Sequence, residues 1–339
     1  MSGTESSREL GVGIVGLGFM GQTHLGAYQR AAEAGFGNKL VAVCDADPER
    51  RAGKARAAGN FDTDAAEDLF DPAEVKGYED PAELFADPAV DVVSICTPTD
   101  SHVDLAIAAL KAGKHVLVEK PVAVSEEEVR RLAAVDAETD TLCMPAMCMR
   151  FWPAWAWLRE RVREGTYGAV RSAAFQRLGT RPGWGGGFYE DDSRTGGALV
   201  DLHIHDADFV RWVFGAPDEL RSTGTTAHLT TLYRYLDGPA HVVAEGGWDH
   251  TPGSPFKMRY VVIFDEATAD FDLGREDQLM LAKDGKFEAI SVDTINGYDG
   301  EVRHLLASIA NGTPLEATIE QAADLAEMLE QEREALGAT

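Results

Sequence analysis

The chain has 339 residues, 45% of them hydrophobic, enough for a sizeable core and more than one core usually accommodates, so two domains are expected. Its 57 acidic against 31 basic residues leave a net charge of −26, which argues against nucleic acid or an anionic membrane surface as partner, since both require a basic face. Four cysteines without metal-ligand spacing, a polar start carrying both charge signs and no apolar run of membrane-spanning length point to a soluble protein of a reducing cytoplasm.

Residues 10–15 read as a buried strand running directly into Gly16-Leu17-Gly18-Phe19-Met20-Gly21, and the composition of 23–34 suits a helix. Strand, glycine turn and helix in this order mark a dinucleotide-binding unit. Gly16 permits the tight turn, Gly18 admits a pyrophosphate to the backbone at the helix N-terminus, and Gly21 allows helix and strand to pack closely. A second strand, 40–44, ends in Asp45 about 24 residues after Gly21. A carboxylate there accepts from both adenosine ribose hydroxyls and repels a 2′-phosphate, which favours NAD over NADP. Asp47, just before Pro48, reads as a helix N-cap.

Residues 59–80 are acidic and aperiodic, a surface excursion, and 81–87 suits a short helix. The strand 90–96 ends at Thr97-Pro98, and Ser101 or Asp100 is placed to cap a helix that Gly113 terminates. His115-Val116-Leu117-Val118 is the next strand; it carries Glu119 and Lys120 to the carboxyl edge of a sheet, where Pro121 stops the ladder. That edge is where open α/β sheets bind ligands. Ser125 and Glu128 have the spacing of a capping box, and 141–144 closes this half as a strand. Strands alternating with helices predict a doubly wound parallel sheet for a first domain of residues 1–148.

The glycine turn, Ile95-Cys96-Thr97-Pro98 with His102, and Glu119-Lys120-Pro121 together resemble the glucose-fructose oxidoreductase, inositol dehydrogenase and MocA family. The resemblance covers most of the chain. Its glycine motif is common to many folds, whereas the spacing from Thr97-Pro98 to Glu119-Lys120-Pro121 is the specific part.

Residues 149–339 form the second expected domain. Arg150 to Trp155 open a helix that Gly165 and Gly168 end, and 170–178 has strand composition. A glycine-rich loop, 179–187, contains Trp184, which stacks on a sugar, stands as an exposed aromatic or meets another subunit; the sequence leaves all three open. From Gly196-Gly197-Ala198 a helical pattern continues to Val213, with Asp201 and His205 four apart on one face and Asp208 a further turn along. A carboxylate beside an imidazole suits proton transfer near neutral pH. No second cluster completes a metal site, so none is expected. Five strands follow (220–228, 241–248, 258–264, 269–273 and 278–283), joined by turns such as Asp284-Gly285, and suggest one open, mainly antiparallel sheet. Helices at 298–310 and 319–336 end the pattern; the latter is amphipathic and is expected to pack back on the first domain.

The resemblance implies more than the residues alone. It makes Lys120, Asp201 and His205 the catalytic lysine, aspartate and histidine, and adds Thr97, Pro98, His102 and Glu119 to Gly16, Gly18, Phe19, Met20, Gly21, Asp45 and Lys120 as cofactor contacts. Lys120, Arg150, Trp184, Asp201 and His205 are the substrate-binding candidates, and a cis bond before Pro121 is implied. The chain departs from the pattern at Ala198, where a third glycine is usual, and at His203, where glycine is frequent and where a change could alter substrate choice. The implied activity is hydride transfer between NAD and a hydroxyl-bearing carbon of a sugar, sugar derivative or inositol. The implied assembly is a homodimer or homotetramer through the second domain's sheet. Two alternatives stay open: recycled NAD serving glycoside cleavage or elimination, and a non-catalytic NAD-dependent sugar-binding regulator.

Overall fold

In the computed structural model, which describes residues 9–54, 68–183 and 186–337, the chain divides into two compact units. The first contains the chain up to Cys148 and again Gly297–Ala323; the second contains Met149–Asn296 and the chain from Asp324.

Short apolar runs, buried on both faces in β4 and nearly so in β1 and β5, make the centre of the first unit's sheet, as a parallel sheet covered by helices requires. Its strands are β1 (Leu10–Val15), β2 (Asn38–Cys44), β3 (Lys76–Tyr78), β4 (Val92–Ile95), β5 (His115–Val118) and β6 (Cys143–Pro145). They lie in the order β3-β2-β1-β4-β5-β6, all parallel. The connecting helices are α1 (Phe19–Glu33), α2 (Pro48–Arg51), α3 (Pro81–Ala86), α4 (His102–Lys111) and α5 (Glu126–Asp136). Strand order reverses beside β1, so the ends of β1 and β4 flank the crevice where such sheets take ligands.

Three local expectations change. Residues 76–78 are not part of a loop but the edge strand of the sheet, Ala42 facing Lys76 and Cys44 facing Tyr78. An edge strand of three residues around a glycine needs little apolar sequence; Asp87 secures it by accepting from Lys76 Nζ and Tyr78 Oη, each at 2.8 Å. Residues 59–67 of that excursion lie outside the described residues. Ser101 does not cap α4; its hydroxyl bonds Thr97 Oγ1 at 2.7 Å and the Pro98 carbonyl at 2.8 Å. Ser125 makes no side-chain cap on α5, and Glu128, its expected reciprocal partner, pairs with Arg131 three residues on, a charged contact that outcompetes the neutral one. Asp47 does cap α2, accepting from Glu49 N at 2.8 Å.

The second unit contains α6 (Pro153–Glu164), β7 (Val170–Leu178), α7 (Asp192–Thr195), α8 (Gly197–Asp201) and α9 (Ile204–Phe214). They precede β8 (Glu219–Thr225), β9 (His228–Arg234), β10 (His241–Gly247), β11 (Lys257–Phe264), β12 (Thr268–Asp272), β13 (Leu279–Lys283) and β14 (Lys286–Ala289). The eight strands form one open sheet in the order β14-β13-β12-β11-β7-β10-β9-β8, with β7 and β10 parallel and every other pair antiparallel. The expected strand 220–228 is in fact most of a hairpin. Its turn signal, Gly224 at φ 118°, sits inside β8, and the reversal at Thr225-Thr226-Ala227 has no glycine or proline to announce it. Lys286–Ala289, unpredicted because all four residues are exposed, pairs with β13 across the Asp284-Gly285 turn, both of whose φ values are positive. One sheet face packs on α6 and α9 through Trp155, Phe175, Phe209, Tyr260 and Phe271, with Trp155 centred 4.5 Å from Phe271 and 5.0 Å from Tyr260.

The single helix expected from Gly196 to Val213 is two helices. The main chain breaks at Leu202 and His203, where His203 N reaches the Ala198 carbonyl five residues back at 2.7 Å. The chain then returns to the first unit as α10 (Gly297–Asn311), a return that a division into blocks 1–148 and 149–339 does not contain. α10 packs on α1, and Arg30 grips Asp299 with Nε at 2.9 Å and Nη2 at 2.6 Å. The final helix, α11 (Ile319–Gly337), counts with the first unit through Ala323 and with the second from Asp324. Among the described residues no helix is long and apolar enough to cross a membrane.

Candidate active site

The glycine turn has the geometry its sequence demands. Gly16 lies at φ +87°, and a Cβ there would stand 2.7 Å from the Cys96 carbonyl oxygen; one on Gly21 would stand 1.9 Å from the Gly16 oxygen. Gly18 is different. A Cβ added to it meets nothing within 4 Å, so the turn opens beside the N-terminus of α1, with Phe19 and Met20 half-buried in its first turn. Open space at a helix N-terminus that no side chain caps fits the pyrophosphate of a dinucleotide. Asp45 closes the far side: Oδ2 accepts from Leu17 N at 2.7 Å and Oδ1 from Asp47 N at 2.9 Å. It therefore pins the glycine turn, and each oxygen keeps one lone pair for a ribose hydroxyl. Arg50, which the sequence reading passed over, brings Nη1 to 3.6 Å from Asp45 Oδ2; a basic pair just after the acid was the signal for it.

At the carboxyl ends of β4 and β5 the motif residues knit the main chain together. Thr97 is half-buried and Pro98 exposed. His102, 1% exposed, sets Nε2 2.7 Å from the Thr97 carbonyl and Nδ1 2.9 Å from the Pro121 carbonyl, tying one strand end to the other. Burial holds its pKa below the ordinary imidazole value against the pull of the two carbonyls. Lys120 is half-buried, and the Lys120–Pro121 peptide bond is cis.

Glu119 faces inward. Oε1 lies 2.8 Å from His24 Nε2, and Oε2 accepts from its neighbour Lys120 N at 2.9 Å. Burial pushes its pKa up, but the His24 hydrogen bond and the charges of His24, Lys120 and His102 outweigh this and hold it below the usual carboxylate range. Glu119, expected to contact the cofactor, thus has both oxygens engaged by protein groups, a geometry that supports an ordering contact. His24, one turn into α1, was not anticipated; its Nδ1 meets Ser94 Oγ at 3.2 Å.

In the second unit Asp201 ends α8 and His205 lies in the first turn of α9, both half-buried, on either side of the break. Neighbouring positions anchor α9. Asp206 takes Arg177 Nε at 3.1 Å and Nη2 at 3.0 Å, and Asp208 takes Arg150 Nε at 2.9 Å and Nη2 at 2.6 Å, with all four residues buried. Asp208 thus does not extend the Asp201 and His205 face, and Arg150, a substrate candidate, spends two donors inside the unit. His203 is fully buried as well, its Nε2 2.9 Å from Glu332 Oε2 and 3.2 Å from Tyr233 Oη. It packs against β10 at Gly246, where a Cβ would stand 2.6 Å from the His203 side chain. Ala198 is buried without strain, since the positive φ values fall on Gly196 and Gly197. Trp184 lies outside the described residues. Among the described residues no group of histidine, cysteine and acidic side chains is arranged to hold a metal ion.

Residues 10–147 match the family model described as an oxidoreductase family with an NAD-binding Rossmann fold, and residues 155–269 match the C-terminal domain model of the same family. The chain is 33% identical over 205 residues to scyllo-inositol 2-dehydrogenase (NAD(+)) of Bacillus subtilis (strain 168), covering 60% of this chain and 53% of that one. It is 29% identical over 221 residues to D-glucoside 3-dehydrogenase of Escherichia coli (strain K12), covering 64% and 57%. The matches thus span little more than half the length of these curated relatives. Among solved structures, UDP-N-acetylglucosamine 3-dehydrogenase from Acidithiobacillus ferrooxidans superposes with a TM-score of 0.77 at 24% identity, covering 97% of this chain and 98% of that one. Levoglucosan dehydrogenase in complex with NADH gives 0.80 at 21%, covering 97% of each, and both likenesses concern the fold. On its two matched domains and its motifs, the chain belongs to the glucose-fructose oxidoreductase, inositol dehydrogenase and MocA family of oxidoreductases.

Proposed function

We propose that the protein is an NAD-dependent dehydrogenase that oxidises a hydroxyl-bearing carbon of a sugar, sugar derivative or inositol. The observation that carries this reading is the open turn at Gly18 on the same sheet edge as Lys120, a dinucleotide cradle and an amine at the carboxyl ends of β1 and β5. NAD supplies the acceptor for the hydride that leaves the carbon. Gly16, Gly18, Phe19, Met20 and Gly21 receive its pyrophosphate, and Asp45 its adenosine ribose. Lys120, Asp201 and His205 are the proposed catalytic groups. His205 takes the hydroxyl proton as the C–H bond breaks, Lys120 donates to the same oxygen and stabilises charge on it, and Asp201 orients substrate and imidazole.

The test is a screen of polyols and sugars for NAD reduction, repeated with NADP. Turnover of one such substrate is expected with NAD, and Lys120→Ala and His205→Ala should each lower kcat about 10²–10⁴-fold. The variant that loses more marks the principal proton acceptor. Full turnover in both sinks the catalytic assignment. Glycoside cleavage without accumulating NADH would instead identify the recycled-NAD chemistry.

The proposal extends to assembly as a homodimer or homotetramer through the eight-stranded sheet. Its support is the face turned away from α9, where Leu232 opposes Val243, Val243 opposes Ala174 and Ala174 opposes Val261. Leu232 and Ile263 are 38% and 41% exposed there. Analytical ultracentrifugation should give a dimer or tetramer that Leu232→Lys weakens. Four buried cysteine thiols support a reducing, cytoplasmic setting.

A further inference from the structure

Beneath Lys120 the first unit buries two carboxylates around one imidazole. Glu119 is well served, by His24 Nε2 at 2.8 Å and Lys120 N at 2.9 Å. Glu301, on α10, is not. It is 0% exposed, neither of its oxygens has a hydrogen-bond partner among the described residues, and its Oε1 lies 3.7 Å from the same His24 Nε2. Asp299, two residues earlier on α10, is by contrast gripped by Arg30.

We propose that Glu301 is a buried proton-binding position that leaves His24 to Glu119, and through Glu119 holds the main chain at Lys120. It is a positioning residue for the lysine, and that part of the inference rests on the dehydrogenase reading.

The groups facing Glu301 are His24 and Tyr28 from α1, Cys96 beyond the end of β4, and Glu119 beyond the end of β5. Only His24 among these can carry a positive charge, and Glu119 already occupies it. An ionised Glu301 would be an unpaired anion next to a second anion, the costliest state for a buried carboxylate. Burial, and then the charge of Glu119, push its pKa well above the usual carboxylate range, so the acid keeps its proton. Were the proton lost, the Glu301 anion would compete for the His24 ring, and the contact that orders Lys120 would loosen.

The folded chain therefore binds this proton more tightly than the unfolded chain. Its contribution to stability is full below the ordinary glutamate pKa and is lost as pH rises toward the folded-state value, the unfolding constant rising by up to about tenfold per pH unit. Glu301→Gln puts a neutral amide of the same shape in place of the neutral acid and removes that slope. The experiment follows thermal unfolding of the full chain, without cofactor, across neutral and alkaline pH. The gap in favour of Glu301→Gln should widen as pH rises; parallel curves overturn the proposal. Should Glu301→Gln fail to fold, infrared spectra of the unaltered protein at mildly alkaline pH decide. A protonated-carboxyl stretch that shifts in Glu301→Asp supports the site, and its absence overturns it. The link to the lysine is read from kcat/KM against pH. Glu301→Gln should move the alkaline limb to higher pH without changing NAD binding, and a superimposable profile removes the positioning role. A widening stability gap in a protein that oxidises no polyol would sink the dehydrogenase reading and leave the proton site standing.

Discussion

In the first unit Lys120 follows a four-residue strand, and what fixes it is mainly main chain: its own N–H on Glu119 and the carbonyl beyond it, on Pro121, against His102. In the second unit His205 sits on a helix held by charge, with Arg177 on Asp206 just after it and Arg150 on Asp208 a turn further. The first arrangement buries one ionised carboxylate, Glu119, against His24, and otherwise uses contacts that a sheet edge already offers. The second buries two full ion pairs, which stabilise only while both partners are present. The difference teaches that the two proposed catalytic groups hang on different supports: Lys120 on main chain with the buried Glu119 and His24 behind it, His205 on two buried ion pairs.

The sharpest way to break this comparison is to remove one partner of a buried pair. Arg177→Met or Asp206→Leu alone should cost about 3–5 kcal/mol, and the double change should recover most of it, since an apolar pair leaves no orphaned charge. Urea unfolding measures both, and a benign single variant would show that charge does not hold α9. A smaller effect is expected from Glu119→Gln, about 1.5–3 kcal/mol, the worth of hydrogen bonds to a charged group. Its kcat should fall with the KM for NAD unchanged; a raised KM would return Glu119 to the cofactor. Smaller again is Asp45→Ser, which removes a ribose acceptor and leaves Arg50 beside the space. The ratio of kcat/KM for NADP to that for NAD should rise roughly tenfold to a hundredfold, about 1–3 kcal/mol. Least disruptive to the fold is Gly18→Ala. With nothing near the added methyl and φ −67°, stability without cofactor should change by less than about 1 kcal/mol, while NAD affinity drops tenfold or more. Unchanged affinity would move the pyrophosphate elsewhere.

The same contrast explains what could be read from the sequence. Gly16, Gly18 and Asp45 stand at a strand end and a turn, so spacing along the chain points to them, while Thr97 and Glu119-Lys120-Pro121, also at strand ends, stand out through the family resemblance. His24 was missed because it lies one turn inside a helix, where a histidine reads as filler. It meets Glu119 only after the sheet has formed, across 95 residues of sequence. Arg150 was a substrate candidate through the family resemblance alone. Its partner Asp208 is 58 residues away and was itself assigned to the wrong face by a helical period that the break at Leu202 interrupts. His203 shows the limit most plainly. Its reason for being there is a glycine on β10 and a glutamate on α11, neither of which any local pattern connects to it.

The return of the chain as α10 bears on how the protein is made. Synthesis is vectorial, and N-terminal domains generally fold first as they emerge from the ribosome. Here that order fails, since the helix that packs on α1 and brings Asp299 to Arg30 emerges only after residues 149–296. Until then the nascent first unit lacks the helix that packs on α1, and Arg30 lacks Asp299. Such a unit invites a chaperone. A circular permutant beginning at Gly297 would hand α10 to the first unit at the outset and should need that help less.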